Sequence, residues 1–234
     1  MAQVTLADLI AALGLDPERP RFAGLELSGV DLSGLDLSGL VFRNCRLRGA
    51  DLSHCRLYRA DLFRAQLAGA RLVEADLREA TVGWSHLEGA DLTGARLDGA
   101  DLLDAVAADA RLAGASAGRC CLRNVDLTTA DLSAARLPGA DLSRTTLRGA
   151  DLTGADLTGA DLAMADLTGA RLAGARLDRA RLRGASLVGA DLRGASARGA
   201  DLSAVRLDGA HLTGLELAGA NLGGTDLSRA AEGP

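Results

Sequence analysis

Ala-Asp-Leu-Thr-Gly occurs twice in direct succession, at Ala150–Gly154 and at Ala155–Gly159. Anchored on its central Leu, the same five-residue pattern runs from Phe22 to Leu227 without insertion or deletion, which gives (227 − 22)/5 + 1 = 42 units. Ala usually stands two residues before the centre, Asp or Arg stands one before it, and Gly usually stands two after it. Self-similarity at a fixed short period is the signature of a repeat architecture.

A period of five fits neither regular secondary structure. On a helix, successive central residues are rotated by about 140°, so no apolar stripe forms, and on a strand an odd period sends them to opposite faces. Within one unit, however, Ala and Leu are two residues apart and point the same way from an extended segment. The following Gly then permits a tight turn. Each unit is therefore predicted to be a short extended side and a corner, and repeated corners build a solenoid.

The Ala-Asp-Leu-x-x array resembles the pentapeptide-repeat family, over residues 21–229. The resemblance implies an all-β solenoid, a right-handed quadrilateral β-helix with four units per coil and about ten coils. At a strand spacing of ~4.8 Å the rod would be roughly 50 Å long. It also implies a binding function, because some family members mimic duplex DNA and protect DNA gyrase from quinolones.

The composition excludes several classes of protein. The chain has 234 residues, of which 48% are hydrophobic but only 2% aromatic, and a narrow tube has little room for rings. The net charge of −5 does not indicate a nucleic-acid binder, and no apolar run approaches the length of a membrane span. Four cysteines are too few for a secreted disulfide scaffold. Without a basic segment ahead of its first apolar stretch, the N-terminus does not resemble a signal peptide, so we expect a cytoplasmic protein.

The two ends of the repeat array differ. Thr5 and Asp8 form a capping-box pattern ahead of apolar residues at helical spacing, which predicts a short N-terminal capping helix over 5–13 within a segment 1–20. The solenoid is predicted over 21–229, followed by a short tail, 230–234. Family members that act on topoisomerases are generally dimers joined through C-terminal helices. No such helix is predicted here, so we expect a monomer or an end-to-end homodimer.

No constellation of side chains indicates catalysis. The three histidines fall in different columns of the predicted coil, and no Cys or carboxylate cluster completes a metal site. Gly never forms a phosphate-binding loop with Lys, since the chain has no Lys. The Asp residues repeat as structural units do, and no pair stands out as acid and base. We therefore predict a protein without enzymatic activity and without cofactor or metal.

The scarce large apolar side chains outside the predicted tube gather on one face and are flanked by charged residues. Trp with Arg neighbours is typical of an interaction hot spot. A chance cluster on a partly apolar surface explains the grouping equally well. The predicted patch consists of Val41, Phe63, Arg64, Trp84, Leu103, Asp104 and Met164.

Another face of the predicted rod is acidic. Its seven carboxylates are opposed by four Arg, which leaves 4 − 7 = −3, whereas duplex DNA carries about 30 charges over ~50 Å. The resemblance thus makes a DNA-mimic binder of DNA gyrase or another type II topoisomerase, which gives protection from gyrase inhibitors, the first hypothesis. The alternative, which the patch favours, is a structural scaffold with a partner that is not a topoisomerase. Direct nucleic-acid binding is disfavoured because acids interleave the Arg columns. The candidate acidic face comprises Asp31, Asp51, Glu74, Asp91, Asp131, Asp151 and Asp191.

Overall fold

Almost every repeat unit makes the same backbone turn. The computed structural model describes residues 5–12, 14–15 and 22–231. In a typical unit the amide of Ala155 donates to the carbonyl of Leu152 at 3.0 Å, which closes a four-residue turn. The third turn residue, Gly154, has φ of 66°, as in a type II turn, where Gly is favoured. This is the predicted corner, and the residue that follows the Ala of each unit forms the extended side.

The coils pair in parallel with a period of twenty residues. Single-residue parallel bridges join positions such as Asp131 and Asp151, or Asp151 and Arg171, and they recur from Glu26↔Arg46 to Asp201↔Asn221. Between coils, the amide of Leu152 donates to the carbonyl of Arg171 at 2.7 Å. Twenty residues are four units, so the backbone has the four-sided coil that the resemblance implied.

The core is a stack of small and large apolar side chains inside this tube. Leu132, Leu152 and Leu172 occupy one column, and each is 0% exposed. The Ala two residues before each centre, such as Ala150, is buried as well. Rings are accommodated at the N-terminal end, where Phe22 and Phe42 stack with centroids 4.9 Å apart.

The N-terminal helix, α1, spans Leu6–Ala12. Thr5 and Asp8 form the predicted capping box, in which the Asp8 amide donates to Thr5 Oγ1 at 3.1 Å and the Thr5 amide donates to Asp8 Oδ2 at 2.9 Å. Leu9 and Ile10 are buried in the same hydrophobic cluster as the first coils. Residue 13, at the predicted end of the helix, lies outside the described residues, as do residues 1–4 and 16–21.

The C-terminal end departs from the repeat. Leu227 was expected to be the last inward Leu, and this expectation is wrong: the residue is 39% exposed and begins a 3-10 helix, Leu227–Arg229. The amide of Gly209 donates to the carbonyl of Arg229 at 2.8 Å, one residue beyond the partner that the repeat would supply. The chain returns to register at Ala231, which pairs with His211. The last regular unit is therefore Ala220–Gly224.

Candidate partner-binding surface

Phe63, Arg64 and Trp84 lie on one corner of the coil. Phe63 and Arg64 are the two central residues of one turn, and Trp84 is the third residue of the turn in the next coil. Trp84 has φ of 57° and Arg64 also has φ of 57°, so both side chains leave the backbone from the left-handed position where most units have Gly. This conformation directs two large side chains outward at neighbouring levels of the rod.

Two guanidinium groups stack on these rings. The Cζ atom of Arg64 lies 5.3 Å from the centroid of Phe63 and 5.9 Å from that of Trp84. On the other side, Arg43 Cζ lies 5.5 Å from the Phe63 centroid, and its Nε donates to Asp61. Each such cation–π contact is worth about 0.5–1 kcal/mol at an exposed site. We call Arg43, Phe63, Arg64 and Trp84 the aromatic cluster.

Gly83 lies next to this arrangement. It takes the place of Phe63 one coil further along and is itself buried. A Cβ atom at Gly83 would lie 3.1 Å from the carbonyl oxygen of Leu103 and 3.8 Å from Cδ2 of Phe63. The tight contact is with the backbone of the next coil, whereas the Phe63 ring lies at ordinary van der Waals distance, so only a side chain larger than Ala at position 83 would compete with the ring for space. Trp84 remains 50% exposed.

The other members of the predicted patch lie at increasing distance from the cluster. Val41, 42% exposed, is bridged to Asp61 one coil earlier than Phe63. Leu103 is half-buried one coil beyond Trp84. Asp104 accepts a hydrogen bond from Asn124 Nδ2 at 3.0 Å.

Met164 is not part of the cluster. It occupies the same column as Trp84 but four coils further along, a separation of ~19 Å at the usual strand spacing. It is 64% exposed. A Cβ atom at Gly184 would lie 2.7 Å from its Sδ, so its side chain covers that glycine.

A second aromatic stack was not predicted from the sequence. Tyr58 is approached by Arg59 at 5.0 Å and by Arg78 at 5.8 Å, each measured from Cζ to the ring centroid. The signal was available, because Tyr58-Arg59 and Phe63-Arg64 occupy the same two positions of consecutive units. Here, however, Arg59 also pairs with Glu79 at 2.7 Å and Arg78 with Asp76 at 2.6 Å. The cations of this stack are therefore neutralised within the protein.

The carboxylates of the candidate acidic face are largely engaged. Five of the seven have a cationic or imidazole nitrogen within ion-pair distance, and the partners are Arg71 for Asp51 (3.8 Å), Arg111 for Asp91 (3.8 Å), Arg171 for Asp151 (3.3 Å), Arg193 for Asp191 (2.7 Å) and His54 for Glu74 (3.4 Å). The remaining two, Asp31 and Asp131, accept the backbone amides of Ser33 and Ser133. Four of the seven carboxylates are thus paired with Arg, and the face as a whole carries only a weak negative charge.

Where a unit has Asp before its central Leu, the carboxylate has a structural role. The carboxylate of Asp151 accepts the amide of Thr153 at 2.9 Å, two residues on, and so fixes the entry to the turn. At Asp191, bonding from the Arg193 side chain lowers the pKa to about 2. The regular recurrence of Asp is therefore explained by its role in the turns and does not by itself indicate a binding face.

The remaining reactive groups give no sign of a catalytic or metal site in the described part of the chain. All four cysteines are free, and burial raises the pKa of the Cys55 thiol to about 11. Among the described residues no group of three or more metal-binding side chains comes together. None of the helices in this part is long and apolar enough to cross a membrane.

Comparison with known proteins agrees with this geometry. The family model described as pentapeptide repeats matches eight copies, over residues 26–62, 60–81, 85–124, 126–163, 165–196 and 198–230. Comparison with curated proteins gave no match. HetL from the cyanobacterium Nostoc, a pentapeptide repeat protein involved in heterocyst differentiation regulation, is 34% identical, with 94% of this chain and 95% of HetL covered and a TM-score of 0.52.

Two further solved structures are similar at lower scores. A pentapeptide repeat protein from the thylakoid lumen of Arabidopsis thaliana is 33% identical, covering 48% of this chain and 68% of its own, with a TM-score of 0.35. Full-length QnrB1, a plasmid-mediated fluoroquinolone resistance protein, is 22% identical, covering 88% of each chain, with a TM-score of 0.28.

Pentapeptide repeat proteins fold as right-handed quadrilateral β-helices and serve as protein-interaction modules that are typically non-catalytic. Because the family model matches most of the coiled region and the similarity to HetL covers 94% of the sequence, this chain belongs to the pentapeptide repeat family.

Proposed function

We propose that the protein is a non-catalytic, rod-shaped binding module that contacts a protein partner through the aromatic cluster. The observation that carries the proposal is Arg64, held against the rings of both Phe63 and Trp84 on a rigid corner. Trp and Arg are the residues most enriched at interaction hot spots. Stacking also orders the Arg64 side chain before binding, which reduces the entropy lost on association.

The partner of this module is proposed to be a protein other than a topoisomerase. HetL, 34% identical, is involved in the regulation of differentiation, and a regulatory relative supports a binding role for this chain. Binding through the aromatic cluster requires no acidic face, whereas electrostatic imitation of DNA does.

The second candidate function is binding of DNA gyrase or another type II topoisomerase, with protection from gyrase inhibitors. Its support is a column of the coil that carries an Asp at six levels, with adjacent levels ~4.8 Å apart; the six are Asp31, Asp51, Asp91, Asp131, Asp151 and Asp191. Against it stands the charge compensation, since Arg71, Arg111 and Arg171 interrupt the column and pair with its acids. A gyrase supercoiling assay with and without a quinolone separates the two functions. Inhibition or protection at micromolar protein would establish the second function and exclude the first.

Site-specific photocrosslinking tests the proposal directly. A benzophenone amino acid is placed at Phe63 or, as the matched control, at Tyr58, which has the same position in the preceding unit and also stacks with Arg. In cells of the source organism we expect one crosslinked protein from position 63 and none from position 58. A partner crosslinked equally from both positions, or from neither, would exclude the aromatic cluster as the contact surface.

We also propose roles for the N-terminal helix and the setting of the protein. Helix α1 closes the first of about ten coils, because Leu9 and Ile10 are buried in the same hydrophobic cluster as the coils. Four free thiols, of which Cys120 is fully buried, fit a reducing compartment. We therefore assign the protein to the cytoplasm.

A further inference from the structure

We infer that the partner of this surface presents an acidic, extended segment with apolar anchors. The inference rests on the proposed function and adds the chemistry of the partner. We call one line of turn positions the basic corner. It consists of the positions equivalent to Phe63 and Arg64 in every coil, which are the third and fourth residues after the inward Ala. Five arginines lie on it against one aspartate (5 − 1 = +4), in a chain whose net charge is −5; they are Arg43, Arg64, Arg123, Arg144 and Arg183, and the acid is Asp104.

Three of these arginines are available to a partner. In the part of the chain that the structure describes, no carboxylate lies within ion-pair distance of Arg64, Arg144 or Arg183, and all three are exposed. Elsewhere on the rod most arginines are paired, as Arg171 is with Asp151 at 3.3 Å. These three cations, of which Arg64 lies against the exposed Trp84, give the corner a positive charge that an external anionic group can complement.

The spacing along the corner fits an extended peptide. From Arg64 to Arg144 there are four coils, ~19 Å, and from Arg144 to Arg183 two more, ~10 Å. An extended chain advances ~3.3 Å per residue, so carboxylates about six and then about three residues apart would face the three arginines in turn. Trp84 and Met164 each lie one coil beyond an arginine and would receive an apolar residue next to an acidic one.

The neighbouring column favours a peptide over a nucleic acid. Beside the basic corner runs a strip that carries five acids and Arg181; the acids are Asp61, Asp101, Asp141, Asp161 and Asp201. Asp61, Asp141 and Asp161 are paired with Arg, whereas Asp101 and Asp201 have no Arg within ion-pair distance among the described residues. A continuous phosphate backbone, with a charge at every step, would be repelled by this strip. A peptide can place its carboxylates on the corner and leave uncharged residues against the acids.

The test uses a synthetic fluorescein-labelled peptide with three Glu at these spacings and Leu beside the first two, in a Gly/Ser/Thr background. A matching peptide carries Gln in place of Glu, and a single-stranded DNA and an RNA oligonucleotide serve as polyanionic probes. Binding is measured by fluorescence anisotropy at low and at high salt. The wild-type protein should bind the Glu peptide at least tenfold more tightly than the Gln peptide or either oligonucleotide.

Two triple variants locate the binding. The first variant combines Arg64→Glu, Arg144→Glu and Arg183→Glu, which reverses three of the five positive charges of the corner. The control variant changes Arg48, Arg119 and Arg179 to Glu. These arginines are also exposed and lack a carboxylate partner among the described residues. The control matches the first variant in net charge and in position within the unit, since Arg119 and Arg179, like Arg64 and Arg144, have φ near 55°. We expect at least a tenfold loss of peptide affinity in the first variant and less than threefold in the control.

Each outcome decides the inference. Equal loss in both variants would show a general charge effect and overturn it, and so would tighter binding of either oligonucleotide or no binding of the Glu peptide at about 100 µM. If a Glu variant loses both its peptide affinity and its circular dichroism spectrum, the same positions are changed to Gln instead. The inference then requires that the Gln variant of the corner lose more peptide affinity than the Gln variant of the control positions. The proposed function fails separately, through the crosslinks at Phe63 and Tyr58.

Discussion

Replacing Leu152 with Ala should destabilise the solenoid by about 3–4 kcal/mol. Leu152 is 0% exposed, and Leu132 and Leu172 flank it in its column. The substitution removes three carbon atoms, or about 2.4 kcal/mol of transfer free energy at ~0.8 kcal/mol per carbon. Because both neighbours are held by the same backbone ladder, the site cannot collapse, and the residual cavity adds the remainder.

Leu212→Ala is the matched control. It belongs to the same column but lies in the last regular coil, where it is only partly buried. We expect a loss of less than about 1.5 kcal/mol there, since less area returns to water. The wild type and both variants are unfolded in urea, and far-UV circular dichroism and the fluorescence of Trp84, the only Trp, report the transition. Equal losses at the two positions would refute the argument that stacking between coils stabilises the core.

Three further predictions follow from the turns, the N-terminal helix and the carboxylates. Gly159→Ala should cost about 1 kcal/mol in urea unfolding, because the residue has φ of 67° but an added Cβ meets no atom within 4 Å; a cost near zero would show that the corner relaxes. Ile10→Ala should destabilise by about 2–3 kcal/mol if α1 closes the first coil, whereas an unchanged melting temperature would exclude a capping role. At Asp191 the lowered pKa, about 2, adds stability above pH ~4 that is lost as the pH falls towards 2. Asp191→Asn should therefore melt below the wild type at pH 7, and the two melting temperatures should converge near pH 2; a constant difference between them would contradict this.

The fold follows from the sequence because a period of five leaves few alternatives. The position that is Gly in Ala150–Gly154 must accept positive φ, and the inward Ala and Leu must point the same way, so one turn is repeated along the chain. The four-sided coil, by contrast, came from the family resemblance. The residue types within one unit determine the turn, whereas the number of turns in one coil depends on pairing between residues twenty apart.

The details of the surface were less predictable. The grouping of Phe63, Trp84 and Leu103 follows from register alone, but the stacking of Arg64 on two rings depends on side-chain rotamers, which register does not determine. Met164 shares a column with Trp84, so register alone places it on the same face, four coils further along. The departure at Leu227 was missed because its unit has an ordinary sequence; the units of Leu217 and Leu222, which also have no further coil to pair with, keep the regular turn.

Binding through the aromatic cluster is tested most directly by measuring how tightly the partner crosslinked at Phe63 binds three forms of the purified protein. These forms are the wild type, Trp84→Ala and Tyr58→Ala. Trp84 is 50% exposed and occupies a conformation that Ala134 and Ala204 also adopt, so the Ala variant should keep its melting temperature. We predict that calorimetry will show at least tenfold weaker binding for Trp84→Ala, as expected of a hot spot, and unchanged binding for Tyr58→Ala. Equal affinities for all three forms would contradict the claim that the aromatic cluster binds the partner.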